Sequence, residues 1–187
     1  MSVMETRLRA GRWVISGLVL FIVAITGCSS PSHHRSAEEV AHSITRYVDI
    51  AIGQGANAPL PLIATRSIDG SFMVPETGNV RAIRFEIGNN LGTSDGELAV
   101  TLCQLQKCVS GEASLAGSSD NQYFFIPLED DLPVNKGALL SYKLSKLDGS
   151  VPVSVWSYML SDGATGLVDS QGKQTGRMPR VSLGFSD

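Results

Sequence analysis

The spacing of apolar residues changes period once along this chain. Over residues 37 to 52 the apolar positions are Val40, Ala41, Ile44, Tyr47, Val48 and Ala51. Steps of three and four predict an amphipathic helix. Ser36, followed three residues later by Glu39, has the form of a capping box, in which a hydroxyl and a carboxylate satisfy free N–H groups of the first turn. Gly53-Gln54-Gly55 supplies a stop, so the helical segment is placed at 37–55. From Leu60 onward the period falls to two, in short runs rich in Val, Ile, Tyr, Phe and Thr and punctuated by Gly, Asn, Asp and Pro. Strands are predicted near 70–75, 80–89, 97–104, 107–115, 122–128, 138–146, 151–159 and 180–186. In one of them Arg81, Ile83, Phe85 and Ile87 are expected to face one way and Val80, Ala82, Arg84 and Glu86 the other. In another, Leu140, Tyr142 and Leu144 oppose Leu139, Ser141, Lys143 and Ser145. Asn, Asp and Gly at Asn89-Asn90, Asp95-Gly96, Asp120-Asn121 and Asp148-Gly149 tolerate the left-handed backbone of tight turns. Seven or eight short strands without intervening helices predict an all-β fold: an antiparallel β-sandwich, jelly-roll-like, over 60–187, preceded by a short N-terminal helix.

The first 27 residues follow another pattern. Arg7, Arg9 and Arg12 precede an apolar run from Trp13 to Ile25, closed by Thr26-Gly27-Cys28. A basic flank, an apolar core and small residues form an export signal. The run is shorter than the roughly 20 residues that span a bilayer as a helix. Residues 28–36, with Ser29-Ser30-Pro31-Ser32, read as a polar tether, in which His33-His34 is expected to be solvated. Ile25-Thr26-Gly27-Cys28 resembles the lipobox of bacterial lipoproteins. That resemblance implies cleavage before Cys28, diacylglyceryl transfer to its thiol, acylation of the new amino terminus, and anchoring of the chain in a membrane. Several buried acyl chains, at about 0.8 kcal/mol per methylene, hold a protein stably where one does not. Ser29 after the cysteine resembles the outer-membrane sorting pattern of enterobacterial lipoproteins, which implies an outer-membrane location, periplasmic or surface-facing.

Composition then narrows the partners. Residues 28–187 carry twelve basic and seventeen acidic side chains, a formal charge of −5, with no basic cluster. Such a chain offers little to nucleic acid, whose phosphates dominate affinity. With Cys28 assigned to lipid, Cys103 and Cys108 remain as a pair in an oxidising compartment, and a disulfide stapling a hairpin tip is the expected outcome. A zinc site is the rival reading, but two cysteines without a neighbouring histidine do not fill a zinc shell.

All three histidines, His33, His34 and His42, precede the strand region. The sandwich is thereby left without Ser-His-Asp or Cys-His nucleophilic machinery and without histidine-ligated zinc. Glu86, Glu97, Glu112, Glu129, Asp130 and Asp131 have the residue type for acid–base work on glycosides, yet each is expected to be a solvated strand or turn residue. The same holds for calcium: Glu129-Asp130-Asp131 and Asp95-Gly96-Glu97 have suitable oxygens without a calcium-loop pattern. No glycine-rich phosphate loop is present in the sequence. No cofactor is expected, and no enzymatic activity.

Residues 71–156 resemble jelly-roll modules of bacterial surface-glycan enzymes and carbohydrate-binding modules. The resemblance rests on the strand Val80 to Ile87, on Gly96-Glu97-Leu98-Ala99-Val100-Thr101-Leu102, and on Asp120-Asn121-Gln122-Tyr123-Phe124-Phe125-Ile126-Pro127. It implies the fold and a sugar-binding role. A glycan site needs an aromatic platform beside amides or carboxylates, because sugar C–H faces stack on rings and hydroxyls need fixed partners. Trp156 and Tyr158, two apart on one strand, and Tyr123 are the candidate binding residues, and filling the sandwich core is their alternative role. The expected function is a lipid-anchored envelope protein with a non-catalytic binding domain for glycan. The alternative is a protein-binding accessory of an envelope secretion or export machine.

Overall fold

The computed structural model describes residues 35–50, 55–160, 167–168 and 176–186. Cys28, the export signal, the tether up to His34 and the glycine stop at Gly53-Gln54 lie outside the described residues. In chain order the elements are α1 (Ala37–Ser43), β1 (Arg46–Asp49), β2 (Ala58–Leu62), β3 (Ser67–Met73), β4 (Gly78–Gly88), β5 (Glu97–Gln104), β6 (Lys107–Ser114), β7 (Gln122–Val134), β8 (Leu139–Lys146), β9 (Val153–Met159), β10 (Leu167–Val168), β11 (Arg177–Pro179) and β12 (Val181–Ser186). They form two antiparallel sheets packed face to face. One has the order β1-β12-β4-β9-β11, with β2 on β9 and β7 on β4, and the other has the order β10-β3-β8-β5-β6. The predicted β-sandwich is therefore present, with one short helix before it.

The capping box forms as expected: Glu39 N–H donates to Ser36 Oγ at 3.2 Å, and Ser36 N–H to the Glu39 carboxylate at 2.8 Å. The helix is nevertheless much shorter than the predicted 37–55. It ends at Ser43, and Arg46–Asp49 is a strand paired with β12 from Arg46↔Phe185 to Asp49↔Ser182. Helical spacing at Ile44, Tyr47 and Val48 is also compatible with a short half-buried strand. A free strand edge offering a full ladder of hydrogen bonds decides between them, since β-branched and aromatic residues suit a pleated surface. Four strands went unforeseen, β1, β2, β10 and β11, each of five residues or fewer and lying at sheet margins.

β4 is the hub of the larger sheet, pairing with β7, β9 and β12. Ile83, Phe85 and Ile87 are fully buried between the sheets, where they meet Leu98, Leu102, Leu140 and Leu144 of the smaller one. The expected alternation breaks at one point. Val80 pairs with Leu132 and Phe185, and Ala82 with Pro127 and Gly184, so Arg81 has no ladder partner on either side. That bulge reverses parity: Val80 joins the core with Ile83, and Arg81 leaves the face it was assigned to. Its guanidinium meets Asp131 at 2.8 Å, and Arg35 reaches the other oxygen of the same carboxylate at 2.6 Å. Partial burial opposes the shift, but the hydrogen bonds from Arg35 and Arg81 hold the Asp131 carboxyl below the ordinary carboxylate range. The oxygens that suggested calcium at Glu129-Asp130-Asp131 are thus in part engaged by arginine.

The second acidic turn is engaged in the same manner. Lys146, at the end of β8, is buried to 2 % exposure, and its ammonium donates to the carbonyl of Asp148 and lies 3.6 Å from the Asp95 carboxylate. That carboxylate also accepts from the backbone N–H of Ser150 at 3.0 Å and of Val151 at 2.7 Å. The packing requires glycine at 149, where φ is +88° and a Cβ would lie 2.4 Å from the lysine nitrogen. Cys103 and Cys108 form a disulfide across a register pair, closing a two-residue turn at Leu105-Gln106.

Backbone hydrogen bonds from Ser150 and Val151 lower the Asp95 pKa from its ordinary 3.8 to about 2. The unfolded chain therefore takes up this proton first, and the contribution of Asp95, complete above pH 3.8, is lost as pH falls toward 2. Urea midpoints are expected to drop over that window in the native chain, and Asp95→Asn to flatten the drop while lowering stability at neutral pH.

Candidate functional site

The outward face of the larger sheet has two parts. At one end α1 lies over it: Val40 is buried, and Ile44 and Tyr47 approach Gly184 so closely that a Cβ there would stand 2.9 and 3.0 Å from them. Beyond that cover no other described helix or strand lies over the face, and its outward positions carry an alternation of rings and charges. β4 contributes Arg84 and Glu86, β7 Tyr123, β9 Trp156 and Tyr158, and β1 Tyr47 and Asp49. Arg180 stands between β11 and β12, where its N–H donates to the carbonyl of Trp156 and its own carbonyl accepts from Glu86 N–H, both at 3.1 Å. One residue thus bridges β9 to β4.

The guanidiniums and rings interleave. Arg84 lies 3.5 Å from the centroid of Tyr47 and 4.7 Å from that of Tyr123, and Arg180 lies 5.9 Å from both Tyr123 and Tyr158. Cations over aromatic faces are attracted by the ring quadrupole. Two of the phenols are fixed at their tips: Tyr123 donates to Asp49 at 3.1 Å and Tyr158 to Glu86 at 2.9 Å, with Arg180 3.6 Å from the same Glu86 oxygen. Arg84 donates to the buried Ser182 hydroxyl at 2.9 Å. The row ends at Trp156, whose indole packs on Gly88, where a Cβ would lie 3.2 Å away, and whose N–H donates to Asn121 at 2.9 Å. Asn121 holds that position with φ of +55°, which asparagine tolerates.

Trp156, Tyr158 and Tyr123, the three candidates singled out in the sequence, are half-buried on this one face and lie outside the hydrophobic core. The tyrosine that joins the phenylalanines of the core is Tyr142, its ring tilted against Phe72 at 6.0 Å and Phe85 at 5.6 Å. Tyr47, Arg84 and Arg180 belong to the same constellation and were missed. Arg84 was legible in the alternation of β4, whereas Tyr47 was hidden by the helical reading and Arg180 by its place between two strands. Among the carboxylates considered for acid–base work, Glu86 joins the face, while Asp131 sits in the ion cluster at the bulge. Among the described residues no group of three His, Cys, Asp or Glu side chains converges on a common point. Beside Tyr123 a cleft of about 410 Å³ opens, lined by Ser114, Gly117, Ser118, Gln122, Tyr123 and Phe125. Hydroxyls, an amide and rings thus adjoin the aromatic row.

No family model matches the chain, and no characterised protein matches it either.

Burial, with the Asp49 carboxylate second, pushes the Tyr123 phenol from its ordinary 10 up to about 12. A raised phenol contributes stability that is complete below pH 10 and is lost as pH rises toward 12, because the unfolded chain releases its proton first. Tyr123→Phe is expected to remove this component of the alkaline loss in urea midpoints. Asp49→Asn is expected to shift it to lower pH without abolishing it, since burial, the larger cause, remains.

Proposed function

We propose that this chain is a lipid-anchored envelope protein whose β-sandwich is a non-catalytic binding domain for glycan, with the row Tyr47, Tyr123, Tyr158 and Trp156 as its platform. The observation that carries the reading is that row itself. Large rings held outside the core by buried or charged partners are rigid, and a rigid platform loses little side-chain entropy when a ligand lands on it. Sugar C–H faces pack against such rings. Hydroxyls find fixed donors and acceptors in Arg180, Glu86, Asp49 and Asn121, with the cleft beside Tyr123 as a side pocket. The described strand region contains no histidine, so binding needs fewer assumptions here than turnover.

The anchor is proposed on the N-terminal pattern: three arginines, an apolar run and Ile25-Thr26-Gly27-Cys28. Retention at the outer membrane and a jelly-roll kinship with carbohydrate-binding modules belong to the same proposal. A second reading, a protein-docking accessory of an envelope machine, is favoured by the same composition, because Tyr, Trp and Arg are the residues enriched in interface hot spots.

Residues 34–187 form one compact unit, so a chain of residues 29–187 suits a glycan array. Binding to a restricted set of glycans is expected, with Trp156→Ala weakening it by about tenfold, the loss of roughly 1.4 kcal/mol of stacking and packing. Tyr158→Phe, which keeps the ring and removes the bond to Glu86, is expected to weaken it less. No glycan bound, together with stoichiometric co-purification of one protein on the native chain, would replace the first reading by the second.

A further inference from the structure

One end of the smaller sheet carries exposed apolar side chains that no described element covers. Met73 and Leu139 are register partners on β3 and β8, 47 and 51 % exposed, and β5 beside them runs out of pairing at Cys103↔Ser141. Two residues further along, in the disulfide-closed turn, Leu105 is 94 % exposed with φ of +57°. Two-residue hairpin turns favour Asn or Gly where φ is positive, and a bulky residue there is strained. An exposed leucine held in that conformation by a cystine one register pair away costs the fold something and contributes nothing to its core. Leu91 shares that exposure and backbone, so strain alone does not single out Leu105; its place at the same sheet end as the exposed Leu139 and Met73 does. Lys107 in the hairpin and Lys136 in the turn before Leu139 flank the apolar residues, both exposed. Of the acids near this end, Glu76 pairs with Arg46 at 3.0 Å and Asp131 with Arg35 and Arg81, while Glu129 and Asp130 are exposed.

The start of the described chain is at this same end. Lys107 Nζ donates to the carbonyl of Asp131, whose carboxylate is held by Arg35. Arg35 is seven residues after Cys28, a separation that covalent geometry limits to about 25 Å. We infer that the tip formed by Leu105, Leu139 and Met73 is a second membrane contact, seated in the interfacial layer of the bilayer to which Cys28 is anchored. The inference rests on the lipid anchor proposed above. Leucine and methionine side chains enter the acyl boundary while the two lysines stay at the headgroups, the arrangement of amphipathic surfaces at a membrane. The cystine keeps the turn from collapsing onto the sheet. Trp156 and Asn121 lie near the opposite end of β4, beyond Gly88, so a domain seated on this tip holds its aromatic row away from the bilayer.

The test uses the full chain, expressed with its own leader, purified in detergent and reconstituted into vesicles of phosphatidylethanolamine and phosphatidylglycerol. A benzoylphenylalanine is placed at position 105 or at position 91. Leu91 is 88 % exposed with φ of +57° but lies before the start of β5, at the other end of that strand. Irradiation is expected to yield severalfold more lipid adduct from 105 than from 91. Leu105→Asn relieves the strained backbone, so its urea midpoint is expected to stay unchanged or rise, while lipid adduct from a benzoylphenylalanine at 139 falls severalfold. Equal yields at 105 and 91, or protein adducts at 105, overturn the contact while leaving the anchor standing. A chain that fractionates identically with and without Cys28→Ser overturns the anchor and the contact together.

Discussion

The pleat of β4 is the constraint from which the rest of the domain follows. A strand must send alternate side chains to opposite faces, and β4 is the strand that pairs with β7, β9 and β12. Its inward residues, Ile83, Phe85 and Ile87, are fully buried and tie the two sheets together, each burial contributing about 1.5–3 kcal/mol. Its outward residues, Arg84 and Glu86, are thereby fixed side by side on the open face. The rings of Tyr47, Tyr123 and Tyr158 collect around them, brought by strands from three different stretches of the chain. Core and candidate site are the two faces of one strand.

Paired charges recur at several places in the domain. At the bulge, two guanidiniums share the Asp131 carboxylate. At the far loops, the buried Lys146 ammonium joins the Asp148 carbonyl and the Asp95 carboxylate. Buried charges of this kind are tolerated only when paired and hydrogen-bonded, because desolvation is otherwise too costly. The first fastens the start of the described residues to the β4–β7 bulge, and the second ties the loops at Asp95 and at Asp148 to Val151 together. The aromatic row applies the same rule at the surface, where guanidiniums lie over the rings and carboxylates accept hydrogen bonds from Tyr123 and Tyr158.

The two ends of the domain then differ in character. One has the start of the described residues at Arg35 and the stapled hairpin, with Leu105, Leu139 and Met73 exposed. The other has Leu91 and Leu147 exposed as well, together with Trp156, Asn121 and the serine-lined cleft. The reading proposed above puts the membrane at the first end and the ligand at the second. It requires no moving part: the strands that carry the rings are the same ones that carry the core.

Much of this was legible in the sequence, and the residues show why. Strong alternation over Leu140, Tyr142 and Leu144 identified β8, and the boundaries of β5 matched the prediction residue for residue. These segments bury one full face, so period two is enforced by the hydrophobic effect itself. The capping box and the Cys103–Cys108 pair were likewise local, set by groups a few residues apart. What the sequence alone left undecided was every feature made by distant partners. The helix stopped at Ser43 because β12 offered an edge to Arg46–Asp49, an option absent from any window around those residues. Arg81 changed face because β7 inserts residues 128–131 opposite it, and no periodicity in β4 encodes that. The aromatic residues could be named, but whether they lay in the core or on the surface was decided by sheet order, which put Tyr142 inside and Tyr123, Trp156 and Tyr158 outside. Short-range patterning specifies elements because their energetics are local. Which element covers which face is a competition among contacts far apart in the chain, and only the assembled sheets resolve it.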